Sequence, residues 1–291
     1  MKEEFLADKF EQNRAHLGAV AYRMLGSATE ADDAVQEAWL RLSRSDANNI
    51  DNLSAWLTTV VGRVCLDMLR SRKSRREDSL DQETYEPIAD HQEGTNPEQE
   101  ALLAESVGLA LMVVLDTLAP PERLAFVLHD MFGVSFDEIA LIVGRSSEAA
   151  RQLASRARRR VHGAPKNTTT EISSQREVVD AFITALRAGD FEGLISILDP
   201  EVVVRAELPD GQIREIRGAH NWAKGAIAFS RAVRPAQVLM VNGNVGLVLA
   251  PHGKLMRALQ FKFSEGKIVE VDVIMSRARL DQLELSVLES E

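Results

Sequence analysis

The side chains with the clearest chemical meaning lie between Arg145 and Arg160. Arg and Gln are suited to bidentate readout of guanine and adenine edges, and clustered Arg neutralises phosphate. Arg151, Gln152, Ser155 and Arg159 fall on one face of a helical pattern. Its other face is Ala150, Leu153, Ala157 and Val161, spaced three and four apart as a buried stripe requires. Arg145, Arg156, Arg158 and Arg160 extend the cationic edge. Acid–base types elsewhere are scattered. Asp199, Asp210, His220 and Asp272 are the candidates for proton transfer in the last third of the chain, and no pair among them has diagnostic spacing. His129 and the single cysteine, Cys65, sit in apolar helical patterns and read as structural. One cysteine excludes an internal disulfide and a Cys-based zinc site. No catalytic residue, metal or cofactor is expected.

The arginine helix needs an element to aim it. Ile139, Ala140, Ile142 and Val143 form an apolar stripe, closed by Gly144. Ser146 or Ser147 can cap the next helix, with Glu148 in its first turn. Two short helices around such a turn, the second cationic, form a helix-turn-helix whose second helix enters a DNA major groove. Leu109–Leu118 and Pro121–Met131 give two more apolar-periodic helices joined at Pro120-Pro121, completing a four-helix module.

The chain as a whole is acidic, with net charge −10 over 291 residues, which taken alone argues against nucleic acid. The excess is local. From Glu77 to Glu105 there are ten acidic residues and no Lys or Arg, with Pro87, Gly94 and Pro97 among them, the pattern of an acidic linker. Arg63 to Arg76 holds six basic residues against one acid, Asp67. A polar, Thr-rich stretch, HGAPKNTTTEISS, follows the arginine helix. The expected division is 1–76, a linker over 77–103, 104–163, a second linker over 164–173, and 174–291. No apolar run is long enough to cross a membrane and the first residues lack an apolar signal region, so no membrane contact and a cytoplasmic location are expected.

The first segment reads as a three-helix bundle. Phe10, Leu17, Val20, Ala21, Met24 and Leu25 make one stripe, broken at Gly26-Ser27. A second helix begins near Thr29 and presents Asp32, Asp33, Gln36, Glu37, Trp39 and Leu42. After a polar loop at 45–52, a long helix from Leu53 turns basic at its end. AYRMLGSATEADDAVQEAWLRL, LSAWLTTVVGRVCLDMLRSRKSRRE and the helix-turn-helix, in that order, resemble a bacterial sigma factor of the extracytoplasmic-function class, which keeps only the second and fourth sigma regions. That resemblance implies that Asp32, Asp33, Gln36, Glu37, Trp39 and Leu42 dock on the β′ clamp helices of core RNA polymerase, with further contact to the β subunit. It implies that the 45–52 loop and the following helix capture the −10 promoter element, with Arg63, Arg70, Arg72, Lys73, Arg75 and Arg76 on phosphates. Arg63 stands where many family members carry Asn. The helix-turn-helix would read the −35 element through Arg151, Gln152, Ser155 and Arg156, with Arg145, Ser147, Arg158 and Arg159 beside them.

From Ser174 the pattern changes to two short helices and then strands. Val202–Leu208 and Gln212–Arg217 flank an Asp210-Gly211 hairpin signal, a helix spans His220–Ser230, and strands follow over Ala236–Asn242, Val245–Ala250, Lys254–Phe263 and Lys267–Met275. Helices followed by a curved antiparallel sheet imply an α+β cone. The order of elements, with the VNG and DG fragments, resembles the SnoaL-like fold of polyketide cyclases and ketosteroid isomerases. In some sigma factors such a domain regulates the sigma regions in place of a separate anti-sigma factor, which implies intramolecular contact here. Phe182, Trp222, Phe229, Met256, Phe261 and Phe263 would either line an apolar cavity, allowing a small apolar ligand, or form core. The expected whole is two all-α sigma domains, the second with the helix-turn-helix, plus an α+β cone.

Overall fold

The computed structural model describes residues 2–45, 50, 52–78, 108–163, 167–207, 212–228 and 236–288. The loop at 46–49, most of the acidic linker, the Asp210-Gly211 hairpin and Phe229 lie outside the described residues. The chain divides into two compact units, one built from 1–108 with 118–158, the other from 109–117 with 159–291.

In the first unit, α1 (Lys2–Leu25), α2 (Ala28–Arg44) and α3 (Leu53–Asp78) pack on one another. The stripe read from the sequence is the core: Phe10, Leu17, Met24, Leu42, Leu57 and Leu66 are fully buried. The break at Gly26-Ser27 is a helix cap, with the Ser27 hydroxyl accepting from the Glu30 N–H at 3.4 Å. The segment numbered here α5 (Pro120–Phe126) continues into a π-helical turn, Val127–Met131, and is followed by α6 (Phe136–Val143) and α7 (Ser147–His162). Pro120 and Pro121 occupy the first turn of α5, where a missing N–H costs nothing. Leu124, Leu128 and Ile139 are fully buried in this part.

The second unit carries a seven-stranded sheet in the order β2-β1-β6-β5-β4-β3-β7. Its strands are β1 (Leu198–Glu207), β2 (Ile213–Arg217), β3 (Ala236–Val241), β4 (Asn244–Leu249), β5 (Arg257–Ser264), β6 (Lys267–Ile274) and β7 (Leu285–Ser286). All pairings are antiparallel except β1 with β6. The helices α8 (Thr169–Ala188), α9 (Phe191–Ile197) and α10 (Ala219–Ala228) cover it, and a short α11 (Arg277–Leu280) precedes β7. Asn242 at φ 52° and Gly243 at φ 84° make the tight β3–β4 turn, a geometry that selects an Asn-Gly pair. This α+β layout is the one the sequence implied. Phe182, Trp222 and Phe261 are core and not the lining of an open cavity: Phe182 stacks on Trp222 at 5.5 Å and meets Phe261 edge-on at 5.6 Å. Met256 is 42% exposed, so it joins neither.

One helix has an unexpected partner. The segment α4 (Leu109–Asp116) buries Met112, Val113, Val114 and Leu115, and it packs on β3 and β7 of the sheet. Sequence reasoning assigned it to the helix-turn-helix module. A helix this apolar on nearly every side needs a broad surface to cover it, and the sheet edge supplies one.

Candidate nucleic-acid interface

The geometry of α7 begins at the helix before it. Ser135 and Glu138 form a capping box: the Ser135 hydroxyl accepts from the Glu138 N–H at 3.3 Å, and the Glu138 carboxylate accepts from the Ser135 N–H at 3.1 Å. Gly144 ends α6 at φ 68°, a left-handed conformation, and donates its N–H to the Ala140 carbonyl. Arg145 N–H reaches the same carbonyl at 3.0 Å, so the chain reverses within two residues. Of the two candidate caps, Ser146 serves. Its hydroxyl accepts from the Ala149 N–H at 3.2 Å, while the Ser147 hydroxyl donates to Asp137.

Helix α7 then buries Ala150, Leu153, Ala154, Ala157 and Val161, and leaves Arg151, Gln152, Ser155, Arg156 and Arg159 exposed. Arg151 lies over the Phe136 ring at 5.2 Å and pairs with Glu148 at 3.1 Å, which orients it without burying it. Phe136 is in turn stacked on His129 at 3.8 Å, so His129 is a structural support. Arg156 pairs with Glu122 at 2.7 Å, and Arg158 pairs with Asp130. The Arg151–Glu148 pair is exposed on both sides and worth about 0–1 kcal/mol, so its guanidinium stays available to another anion, whereas the Glu122 and Asp130 carboxylates are largely covered.

The basic end of α3 is more divided. Arg63 donates to the Leu141 carbonyl at 3.0 Å. Arg72 bridges Glu30 and the Leu25 carbonyl at 3.0 and 3.1 Å, tying α3 to the α1–α2 corner. Arg70 is exposed beside Asp67 at 3.8 Å. Lys73, Arg75 and Arg76 lie in the last turns of α3, and their side chains fall outside the described residues.

On α2, Asp32, Asp33 and Gln36 are exposed, Glu37 is half-exposed and paired with Arg41 at 2.9 Å, and Trp39 packs half-buried on Phe10 at 5.1 Å. Leu42 is fully buried and belongs to the core, which corrects the expectation that it faces a partner. Sequence reasoning also missed Arg123, Glu122 and Asp130. Arg123 is 2% exposed and donates to the Arg23 carbonyl at 3.1 Å. Their partners lie 28 to 100 residues away in the chain, where periodicity carries no signal.

The acid–base candidates of the second unit are not brought together. The Asp199 carboxylate accepts from the Glu201 N–H at 2.8 Å, as a turn residue does. Asp272 lies 3.7 Å from Arg205, and His220 is exposed with its ring edge-on to Phe191 at 5.8 Å. Asp210 lies outside the described residues. Among the described residues there is no cluster of His, Cys, Asp and Glu that could hold a metal, and no helix is long and apolar enough to cross a membrane.

Comparison with known proteins matches residues 10–75 to Sigma-70 region 2 and residues 108–161 to Sigma-70, region 4. The chain is 39% identical over 252 residues to the ECF RNA polymerase sigma factor SigJ of Mycobacterium tuberculosis, covering 83% of this chain and 80% of the relative. It is 33% identical over 274 residues to the probable ECF RNA polymerase sigma factor SigI of the same species, covering 93% of each. The crystal structure of M. tuberculosis SigJ covers 94% of this chain and 98% of its own, at 33% identity and a TM-score of 0.46. With both sigma regions matched in order around a linker, and full-length relatives at this identity, the chain belongs to the extracytoplasmic-function family of RNA polymerase sigma factors.

Proposed function

We propose that this sigma factor is a two-point promoter clamp that does no chemistry of its own in the cytoplasm. Helix α7 reads the −35 element, the basic end of α3 follows the −10 element, and the acidic face of α2 docks on the β′ clamp helices of core RNA polymerase. The observation that carries the reading is the outward row Arg151, Gln152, Ser155 on a helix anchored by five buried side chains. Those side-chain types, held rigid on one face, suit base edges in a major groove. Asp32, Asp33 and Gln36 form an exposed acidic face that repels phosphate and fits a protein surface. Arg145, Ser147, Arg156, Arg158 and Arg159 supply backbone contacts at the −35 end, and Arg63, Arg70, Arg72, Lys73, Arg75 and Arg76 at the −10 end.

The C-terminal domain acts as a built-in modulator and not as an enzyme. Its central aromatics pack on one another, and its acid–base candidates are scattered. Two pairs of substitutions separate the roles. Arg151→Ala or Gln152→Ala is expected to cost about 1–3 kcal/mol at the preferred −35 sequence and to relax selectivity there, leaving core binding unchanged. Asp32→Lys with Asp33→Lys is expected to weaken core polymerase binding. Equal −35 selectivity in the first pair, or unchanged core affinity in the second, overturns the assignment.

A further inference from the structure

Two arginines of α7 are braced by carboxylates from the helix that runs behind it. Arg156 pairs with Glu122, in the first turn of α5, at 2.7 Å, and Arg158 pairs with Asp130 in the π-helical turn. The two acids are largely covered, with side-chain exposures of 12% and 21%, while the arginines remain 44% and 41% exposed. The Arg151–Glu148 pair differs in kind: both side chains are at least 60% exposed and both stand on α7.

The backbone of α5 is shaped to supply both acids. Eight residues of plain α-helix would leave Asp130 about 80° round the axis from Glu122. The π turn over Val127–Met131 is wound more loosely, which takes up part of that offset and lets both carboxylates reach α7. Helix α7 is already anchored by its buried apolar face, so two ion pairs at its edge add little to holding it in place. What they fix is the setting of two guanidiniums. An unbraced arginine samples many rotamers and meets phosphate in many registers. A guanidinium braced on one side by a carboxylate has lost that freedom before DNA arrives, and its fork of donors can still bind a second anion. The same carboxylates repel a phosphate that arrives anywhere else.

We propose that Glu122 and Asp130 are positioning residues for −35 specificity. They set Arg156 and Arg158 at fixed places, so that α7 accepts a duplex in one register and holds random DNA weakly. Phosphate contacts carry no sequence information themselves, but their register decides which base edges lie under Arg151, Gln152 and Ser155. The proposal rests on the sigma reading above.

The test is equilibrium binding of the full chain with core RNA polymerase to two duplexes over a salt series. One duplex is the chain's own upstream region, and the other is the same sequence with its −35 block scrambled. Glu122→Gln and Asp130→Asn are each expected to tighten binding to the scrambled duplex and to steepen its salt dependence by about one in slope. Each is expected to reduce the preference between the duplexes about 3- to 10-fold. Glu11→Gln removes the same charge from an exposed pair on α1 and is expected to leave the preference unchanged. With Arg156→Ala in place, Glu122→Gln should have no further effect, since the side chain it positions is gone. A purely structural role would lower the melting temperature and leave the preference as it was, which overturns the proposal. An equal loss of preference in Glu11→Gln overturns it too, because net charge alone would then explain the effect. Should Glu122→Gln fail to fold, Asp130→Asn decides. A wild-type holoenzyme with no preference between the duplexes overturns the sigma reading and the proposal with it, and shows before any variant is compared.

Discussion

At the scale of single residues, the cations of this chain have two occupations, and their partners tell them apart. Arg123 is buried and held by the Arg23 carbonyl, so it serves the fold, while Arg151 makes an exposed pair with Glu148 that leaves its guanidinium accessible. Glu207 shows the same logic for an acid. It is 6% exposed, and burial alone would push its carboxyl up. Hydrogen bonds from the Ser276 and Met275 N–H groups at 2.9 and 3.1 Å, with Arg279 nearby, outweigh that and hold it below the usual 4.5. A depressed carboxyl contributes stability that is present above 4.5 and is lost as pH falls through its folded value. Acid titration below pH 4.5 should therefore release the 275–288 segment early, and Glu207→Gln should weaken that dependence. Hydrogen exchange at Ser276 checks it; an identical acid profile in the variant would contradict the assignment. The exposed row of α7 was legible in the sequence because the helix alternates buried and exposed positions locally. The restraint on Arg63 and Arg158 was not, because their partners lie 78 and 28 residues away.

At the scale of elements, the turn between α6 and α7 sets the direction of α7. Gly144 has φ 68° and open space around its Cβ position, so the cost of a side chain there is conformational and not steric. Gly144→Ala should cost about 1–2 kcal/mol, read as a shift in urea midpoint. Ser135→Ala removes one half of the capping box and should cost about 1 kcal/mol by the same measurement. No shift in either would mean that tertiary packing, not the turn, fixes α7. The strands and most helices were legible because their periods are local. The partner of α4 was not: an apolar helix gives no sign of whether a helix or a sheet will cover it.

At the scale of the whole molecule, the matched sigma regions and the two compact units do not share boundaries. The region 4 match spans 108–161, yet Leu109–Thr117 and the end of α7 group with the C-terminal sheet. The Val287 N–H donates to the Val161 carbonyl at 2.8 Å, and Ser286 fills the space where a Gly163 side chain would lie. A chain cut after Gly163 therefore strips α4 of its cover, and light scattering should show self-association that the full chain lacks. A monomeric truncated form of unchanged stability would contradict this. The central claim is tested most directly by run-off transcription from the chain's own upstream region with purified core RNA polymerase. The full chain should direct a discrete start that core enzyme alone does not make, and the Arg151→Ala, Gln152→Ala double variant should lose most of it. No transcript above the core-only background, together with no binding to core enzyme, would contradict the account.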